Sequence, residues 1–215
     1  MDRKKICFIM CTNNRQYREE AVYYINRLSI PDGYSAHVVT VEGAEGMAAG
    51  YNAAMKSSDA KYKIYLHQDV LILHQDFIWK LLEIFADPGI GMFGMAGAPQ
   101  MAVNGVWWNG RAVGKLLSNT VFEYGEEAFD EIEGDYAEVE AVDGFLMATQ
   151  YDLEWREDLF KKWHFYDASQ SFEFRKRGYR VVVPRMEEPW CLHDSGINDL
   201  RDYYGERKLF VREYM

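Results

Sequence analysis

The chain has 215 residues, 48% of them hydrophobic, and a net charge of −10, which provides apolar material for one sizeable globular domain and the wrong sign for a nucleic-acid surface. The excess charge is local: Glu123–Glu140 carries nine acids and no Lys or Arg, and reads as a solvated surface loop or excursion. No run of 18 apolar residues occurs, and the apolar ICFIMC behind the basic start is too short for a signal peptide, so neither a membrane span nor a leader is expected.

The first half alternates strand and helix signals. Ile6–Cys11 is a continuous apolar run, as in a parallel strand buried on both faces. Arg15–Ser29 places Tyr17, Ala21, Tyr24, Ile25 and Leu28 on one helical face. After the turn Pro31-Asp32-Gly33, His37–Val41 reads as a second strand, and Gly46–Ser58 as a second helix. Within Lys61–Val70, KYKIYLHQDV, Ile64, Tyr65 and Leu66 read as a buried third strand that ends at His67, and Phe77–Ala86 is a third helix closed by Asp87-Pro88. The order β-α-β-α-β-α predicts a mostly parallel sheet with helices on both faces.

The second half is less regular and predicts a smaller mixed sheet region. Asn104–Gly114 reads as a hairpin or a mobile loop, and Ala137–Thr149 as a strand broken at Val142-Asp143-Gly144. Leu153–Lys162 and Ser169–Arg177 read as short helices, Tyr179–Val183 as a last strand, and Ile197–Met215 as a helix docked on the core. Three scattered cysteines, Cys7, Cys11 and Cys191, suit neither a disulfide framework nor a zinc ribbon, and imply a reducing, cytoplasmic setting. No repeat or linker divides the chain, so residues 1–215 are expected to form a single domain.

His67 and Asp69 stand where the third strand leaves the sheet, the edge at which α/β proteins bind ligands. At i and i+2 of an extended segment they face one way and suit a divalent cation carrying phosphate oxygens. The same tripeptide recurs at His74-Gln75-Asp76, where Asp76 precedes a helix and reads as its N-cap. Other cofactor motifs fail. Gly89–Gly94 has dinucleotide-motif spacing, but it follows a helix and runs into Pro99, so it reads as a tightly packed strand. Asp167 opens a helix as either an N-cap carboxylate or a reactive acid. His193 follows a short apolar stretch, and Cys191 lies too near it in sequence to act as its nucleophile.

Together these pieces resemble the inverting nucleotide-sugar glycosyltransferases of the A-type fold, and most of all the small bacterial proteins related to family 2. The resemblance is carried by Cys11–Arg15 after the first strand, by Glu42-Gly43 and AEGMAAGYNAAM, and by His67-Gln68-Asp69 in the place of Asp-x-Asp. It continues through Val142–Met147, His164–Asp167 and Cys191–Gly196. It implies a nucleotide-binding half (1–100) and an acceptor and catalytic-base half (101–215). Thr12, Asn14, Glu42, Asn52 and His67 would then contact the nucleotide, and Asp143 and Gly144 the donor sugar. A divalent cation, Mn²⁺ or Mg²⁺, would rest on Asp69 and His193, and Asp167 would be the general base. Trp107 and Trp108 are either an acceptor platform or buried hairpin aromatics. The implied partners are a nucleoside-diphosphate sugar and a saccharide or lipid-linked acceptor, as in polysaccharide biosynthesis, with loose membrane contact through the C-terminal helix allowed. Two alternatives stand beside this: a non-catalytic nucleotide-sugar or carbohydrate-binding module, and a sugar-phosphate nucleotidyltransferase. The latter expects a glycine-rich basic loop where this chain has TNNRQYRE.

Overall fold

A computed structural model describes residues 1–197 and 199–215. In chain order the elements are β1 (Asp2–Thr12), α1 (Arg15–Ile25), β2 (Ser35–Glu42), α2 (Met47–Ser57), β3 (Ala60–Leu66), β4 (Val70–Ile72), α3 (Phe77–Ile84), β5 (Ile90–Gly94) and β6 (Ala96–Ala98). A 3-10 turn at Trp107–Asn109 leads into β7 (Val113–Thr120), β8 (Tyr124–Ala128), β9 (Tyr136–Glu138), β10 (Ala141–Val142) and β11 (Leu146–Thr149). The chain ends with α4 (Tyr166–Lys176), β12 (Arg180–Pro184), β13 (Cys191–Gly196) and α5 (Tyr203–Tyr214). Among the described residues no helix is long and apolar enough to cross a membrane.

The principal sheet has seven strands in the order β2-β1-β3-β11-β5-β12-β9. β2, β1, β3, β5 and β12 run parallel; β11 and β9 run against them. Ile6–Met10 is buried without exception, as a strand covered on both faces must be. A smaller mixed sheet follows the order β10-β6-β7-β13-β4, with β8 on the flank of β7. It draws β4 and β6 from the first half of the chain, so the two sheets interlock rather than sit in separate halves.

The placement of β11 positions everything that follows. It inserts antiparallel between β3 and β5, with Leu146 opposite Leu66 and Met147 opposite Gly94. The turn that opens it, Asp143–Phe145, therefore lies at the carboxyl end of β3, and the His67 amide donates to the Phe145 carbonyl at 2.9 Å. Gly94 fits here because a Cβ would lie 2.6 Å from Val142.

Several local expectations are corrected. α1 stops at Ile25, because the Ser29 amide turns away to donate to the Gln75 carbonyl. Asp76 precedes α3 but makes no side-chain cap hydrogen bond. The tryptophan segment is a 3-10 turn, with Trp107 packed on Trp108 and Phe129. The acidic stretch is not a free loop: β8 pairs with β7 and β9 with β12, and the acids point outward from them. Leu153–Lys162 is irregular rather than helical. Its apolar residues are buried singly, Trp155 against Tyr51 and Tyr65 and Phe160 against Tyr214.

The same segment explains Asn52. That side chain is 3% exposed, and its amide donates to the Trp155 carbonyl at 2.9 Å and accepts from the Trp155 amide at 2.8 Å. Asn52 clasps a loop that has no helix to satisfy its backbone, so it is not free to contact a nucleotide. Asn52→Ala would leave the Trp155 amide buried and unpaired, at about 1–3 kcal/mol, while the Trp155 carbonyl keeps the Glu157 amide at 2.7 Å. A urea unfolding curve should show a loss in that range with the slope unchanged.

Candidate functional site

Because β1, β2 and β3 are parallel, their carboxyl ends meet at one edge, and the loops behind them wall a cleft of about 570 Å³. Cys11–Asn13 come from β1, Gly43 and Ala44 from β2, and His67–Asp69 from β3. Gln68 joins two of these loops. Its Oε1 accepts from Thr12 Oγ1 at 2.9 Å and from the Asn13 and Asn14 amides at 3.0 Å each. Its Nε2 donates to Asn13 Oδ1 at 2.8 Å. The far lip is residues 162–164, held by Glu206 of α5, whose carboxylate accepts from the Lys162 and His164 amides at 2.8 and 3.0 Å.

At the base of the cleft His67, Asp69 and His193 each direct a ligand atom to one point, all within 4.8 Å of one another. His193 arrives on β13, which lies between β4 and β7. His67 Nδ1 is 3.4 Å from His193 Nε2, and His193 Nε2 is 3.6 Å from Asp69 Oδ1. That oxygen is buried and has no hydrogen-bond partner, a costly state for a carboxylate unless a cation meets it. Burial pushes Asp69 up, but the neighbouring His193 and His67 outweigh it and leave the carboxyl below its usual range. Burial, reinforced by His193, pulls His67 down to about 4, so it stands as a neutral ligand. The group therefore fits a divalent cation.

Behind this cluster the other ring nitrogen of His67 lies 2.5 Å from Tyr166 Oη, and that hydroxyl donates to the Gly144 carbonyl at 3.3 Å. Gly144 is required by this approach: a Cβ there would lie 2.3 Å from Tyr166 Oη and 3.0 Å from Asp167 Cβ. α4 begins from Phe165 in the left-handed region (φ 57) with no side-chain cap. Such a conformation costs a bulky residue about 1–3 kcal/mol, and the ring's packing on Tyr203 and Phe210 offsets it.

Asp167 lies in the first turn of α4, facing Asp143. Burial first and Asp143 second push it up to about 7, against the backbone amides of Ala168, Asp167 and Gly144. Burial also raises Asp143, whose Oδ1 accepts from the Phe145 amide at 3.0 Å and whose carboxylate meets the Trp107 side chain. Two carboxyls in one half-buried place hold a proton near neutrality.

The structure thus brings Thr12, His67, Asp69 and His193 to the cleft, with Asp143, Gly144, Asp167 and Trp107 directly behind. His67 stands with Asp69 and His193 as a third convergent side chain. Three expected nucleotide contacts are differently employed. Asn52 clasps Trp155, as described above. The Asn14 Oδ1 caps α1, accepting from the Gln16 and Tyr17 amides at 2.9 and 3.3 Å. Glu42 pairs with Arg18. Trp108 is 52% exposed and packs against Tyr203, with ring centroids 6.0 Å apart and planes tilted by 36°.

Sequence reasoning missed Gln68, Tyr166 and Arg201. Gln68 and Tyr166 adjoin residues that were singled out, and position alone could have raised them. Among the described residues that line the cleft, Arg201 supplies the one Lys or Arg. A larger groove of about 970 Å³ lies between α3 and the β9–β12 end of the sheet. Acids outnumber bases there, with Glu83, Asp87, Asp135, Glu187 and Glu188 against Lys80 and Arg185, so it suits a polyphosphate poorly.

Residues 7–214 match a family model described as "Glycosyltransferase like family". No curated protein sequence matches the chain. Among solved structures, mannosyltransferase PcManGT from Pyrobaculum calidifontis, in complex with GDP-Man and Mn²⁺, has a TM-score of 0.59 at 16% identity, over 96% of this chain and 61% of that one. TarS 1-349 of S. aureus in complex with UDP-GlcNAc has a TM-score of 0.57 at 11% identity, over 94% and 64%; its UDP complex gives 0.55 at 12%, over 95% and 64%. The chain spans less than two thirds of these structures, and at such identities the likeness is one of fold.

Gly144→Ala should force Tyr166 off His67 and overpack the start of α4, at about 1–3 kcal/mol. Adding Tyr166→Phe removes the nearest clashing atom, so the double variant should recover part of the melting temperature lost by Gly144→Ala alone.

Proposed function

From the premise that this chain belongs to the glycosyltransferase-like family, we propose that it transfers a sugar from a nucleoside diphosphate to an acceptor hydroxyl, with inversion. The observation that carries this reading is one juxtaposition at one sheet edge. The His67–Asp69–His193 cluster and the proton-holding Asp167 stand on either side of Tyr166, the first beside a cleft large enough for a nucleotide.

The residues divide the work. Asn13 and the backbone around Gly43 offer the cleft wall to the nucleoside, with Thr12 and Gln68 fixing its shape. Arg201, 88% exposed at the rim, is free to swing from Asp199 onto a diphosphate. A divalent cation on Asp69, His193 and His67 would supply positive charge for the leaving diphosphate. Asp167 takes the proton from the acceptor hydroxyl as it attacks, and a value of about 7 matches a general base to neutral pH. Trp107 and Trp108 offer ring faces to the acceptor sugar. A single displacement asks for no enzyme nucleophile, and all three cysteines are buried.

The fold resemblance to PcManGT and TarS, solved with GDP-Man and with UDP-GlcNAc, supports a nucleotide-sugar donor and leaves its identity to experiment. Melting curves with GDP, UDP, CDP and TDP, each with and without Mn²⁺, should show one nucleotide raising the melting temperature by mass action. No shift with any of them would overturn the donor site. With the donor class known, Asp167→Asn should keep that shift while transfer falls by roughly 10²–10⁴. Full transfer in this variant would overturn the base assignment. Nucleotide binding with no transfer or hydrolysis by wild-type protein, across a broad acceptor panel, would favour a binding module instead.

The raised carboxyl also fixes two pH signs. Transfer should rise with pH through about 7 as Asp167 loses its proton. In stability the sign is opposite. The native state keeps a proton that the unfolded carboxyl releases near its ordinary 3.8, so this group's contribution is present below that value and is lost as pH climbs to about 7. Urea midpoints of wild type and Asp167→Asn should therefore diverge across that window, the wild type falling more steeply with rising pH.

A further inference from the structure

We infer that His67, Asp69 and His193 form a preorganised, nitrogen-rich cation site that takes a transition ion such as Zn²⁺ or Co²⁺ before any nucleotide arrives, and discriminates against Mg²⁺. This goes beyond the transfer reading and does not depend on it.

Spacing is the first ground. The His67–His193 and His193–Asp69 separations are 3.4 and 3.6 Å. Ligands about 2.0–2.1 Å from a shared tetrahedral ion stand about 3.4 Å apart. The competing account is a hydrogen-bond relay with no ion, in which a His193 N–H is shared between its two neighbours. The Asp69 oxygen argues against it, because 3.6 Å leaves that atom buried and without a hydrogen bond.

Preorganisation is the second ground. Tyr166 has one hydroxyl proton, directed to the Gly144 carbonyl. With the proton so placed its oxygen, 2.5 Å from His67 Nε2, accepts from that N–H, the tautomer that leaves the Nδ1 lone pair toward His193. Such outer partners orient ligands and raise their basicity. The His193 ring lies flat on Phe145, with centroids 5.2 Å apart and planes at 17°, on a strand paired on both sides. None of the three side chains needs to be gathered by a ligand.

Donor type is the third. Two imidazoles and one carboxylate suit borderline ions, whereas Mg²⁺ and Ca²⁺ want oxygen. An Asp at position 67 would have made the site oxygen-rich and left it dependent on the diphosphate for further donors.

The test is calorimetric titration of the metal-stripped full chain, free of nucleotide, with ZnCl₂, CoCl₂, MnCl₂ and MgCl₂. One equivalent of Zn²⁺ or Co²⁺ should bind, with Mg²⁺ roughly 100-fold weaker or more. Tyr166→Phe should weaken Zn²⁺ binding about 10-fold while leaving the carboxylate set intact. His67→Asp should shrink the Zn²⁺-to-Mg²⁺ preference roughly 10-fold or more, with circular dichroism confirming that both variants fold. Absence of Zn²⁺ and Co²⁺ binding without nucleotide, or Mg²⁺ binding as tight as Zn²⁺, would overturn the inference from wild-type protein alone. An unchanged preference in folded His67→Asp would overturn it as well. A failed transfer reading would show instead as a missing nucleotide shift, which these titrations do not involve.

Discussion

The structure depends on a strand that runs the wrong way. β11 enters antiparallel between β3 and β5, where a uniform parallel sheet would have joined them directly. A parallel strand in that place would arrive from the opposite edge of the sheet. Its antiparallel course instead brings the Asp143–Phe145 turn to the end of β3, beside His67. From that turn come the carbonyl that holds the His67 amide, the glycine that admits Tyr166 and the carboxyl that faces Asp167.

The electrostatics follow from that crowding. Asp69, Asp143 and Asp167 all lose solvent at one sheet edge, and they are resolved differently. Asp69 has imidazoles beside it and stays below its usual range. Asp167 has another carboxyl and rises. One carboxylate is left ready for a cation and one carboxyl is left near neutrality, a separation set by neighbours rather than by residue type. The orphaned Asp69 oxygen and the left-handed Phe165 both oppose stability. The core that carries them includes a β1 with five consecutive fully buried residues and the Tyr51–Tyr65–Trp155 cluster.

Much of the fold was legible where one period dominates the sequence. Ile6–Cys11, His37–Val41 and Ile64–Leu66 all fall within observed strands, and the three expected helices coincide with α1, α2 and α3, the first of them shorter than expected. Legibility failed where tertiary contacts overrode local pattern. Leu153–Lys162 has helical composition, but its backbone is claimed by Asn52 and its apolar residues by separate partners. The acidic stretch looked like loop because its charges are those of a solvent-facing sheet surface, while its pairing lies in the backbone. That Asp69 and Asp167 stand at a strand end and a helix start could be read from sequence, because those boundaries carry local signals. That Asn14 and Asn52 spend their amides internally could not, since an Asn serving a cap or a loop is written the same way as one facing a ligand. Tyr166 depends on β11, and no local signal announces it.

Glu206 gives the cleft an unusual order of assembly. The lip at 162–164 meets the first half of the chain at the start of α2, where its Lys162 carbonyl receives the Met47 amide and packs against Gly46. Its own amides wait for a carboxylate more than 40 residues further on. During synthesis the sheet edge and its histidine can form while that lip still has no anchor. A shortened chain that keeps every strand but lacks α5 would retain most of the core and present an open groove in place of a walled one. The last helix is thus a latch on the cleft side of the molecule.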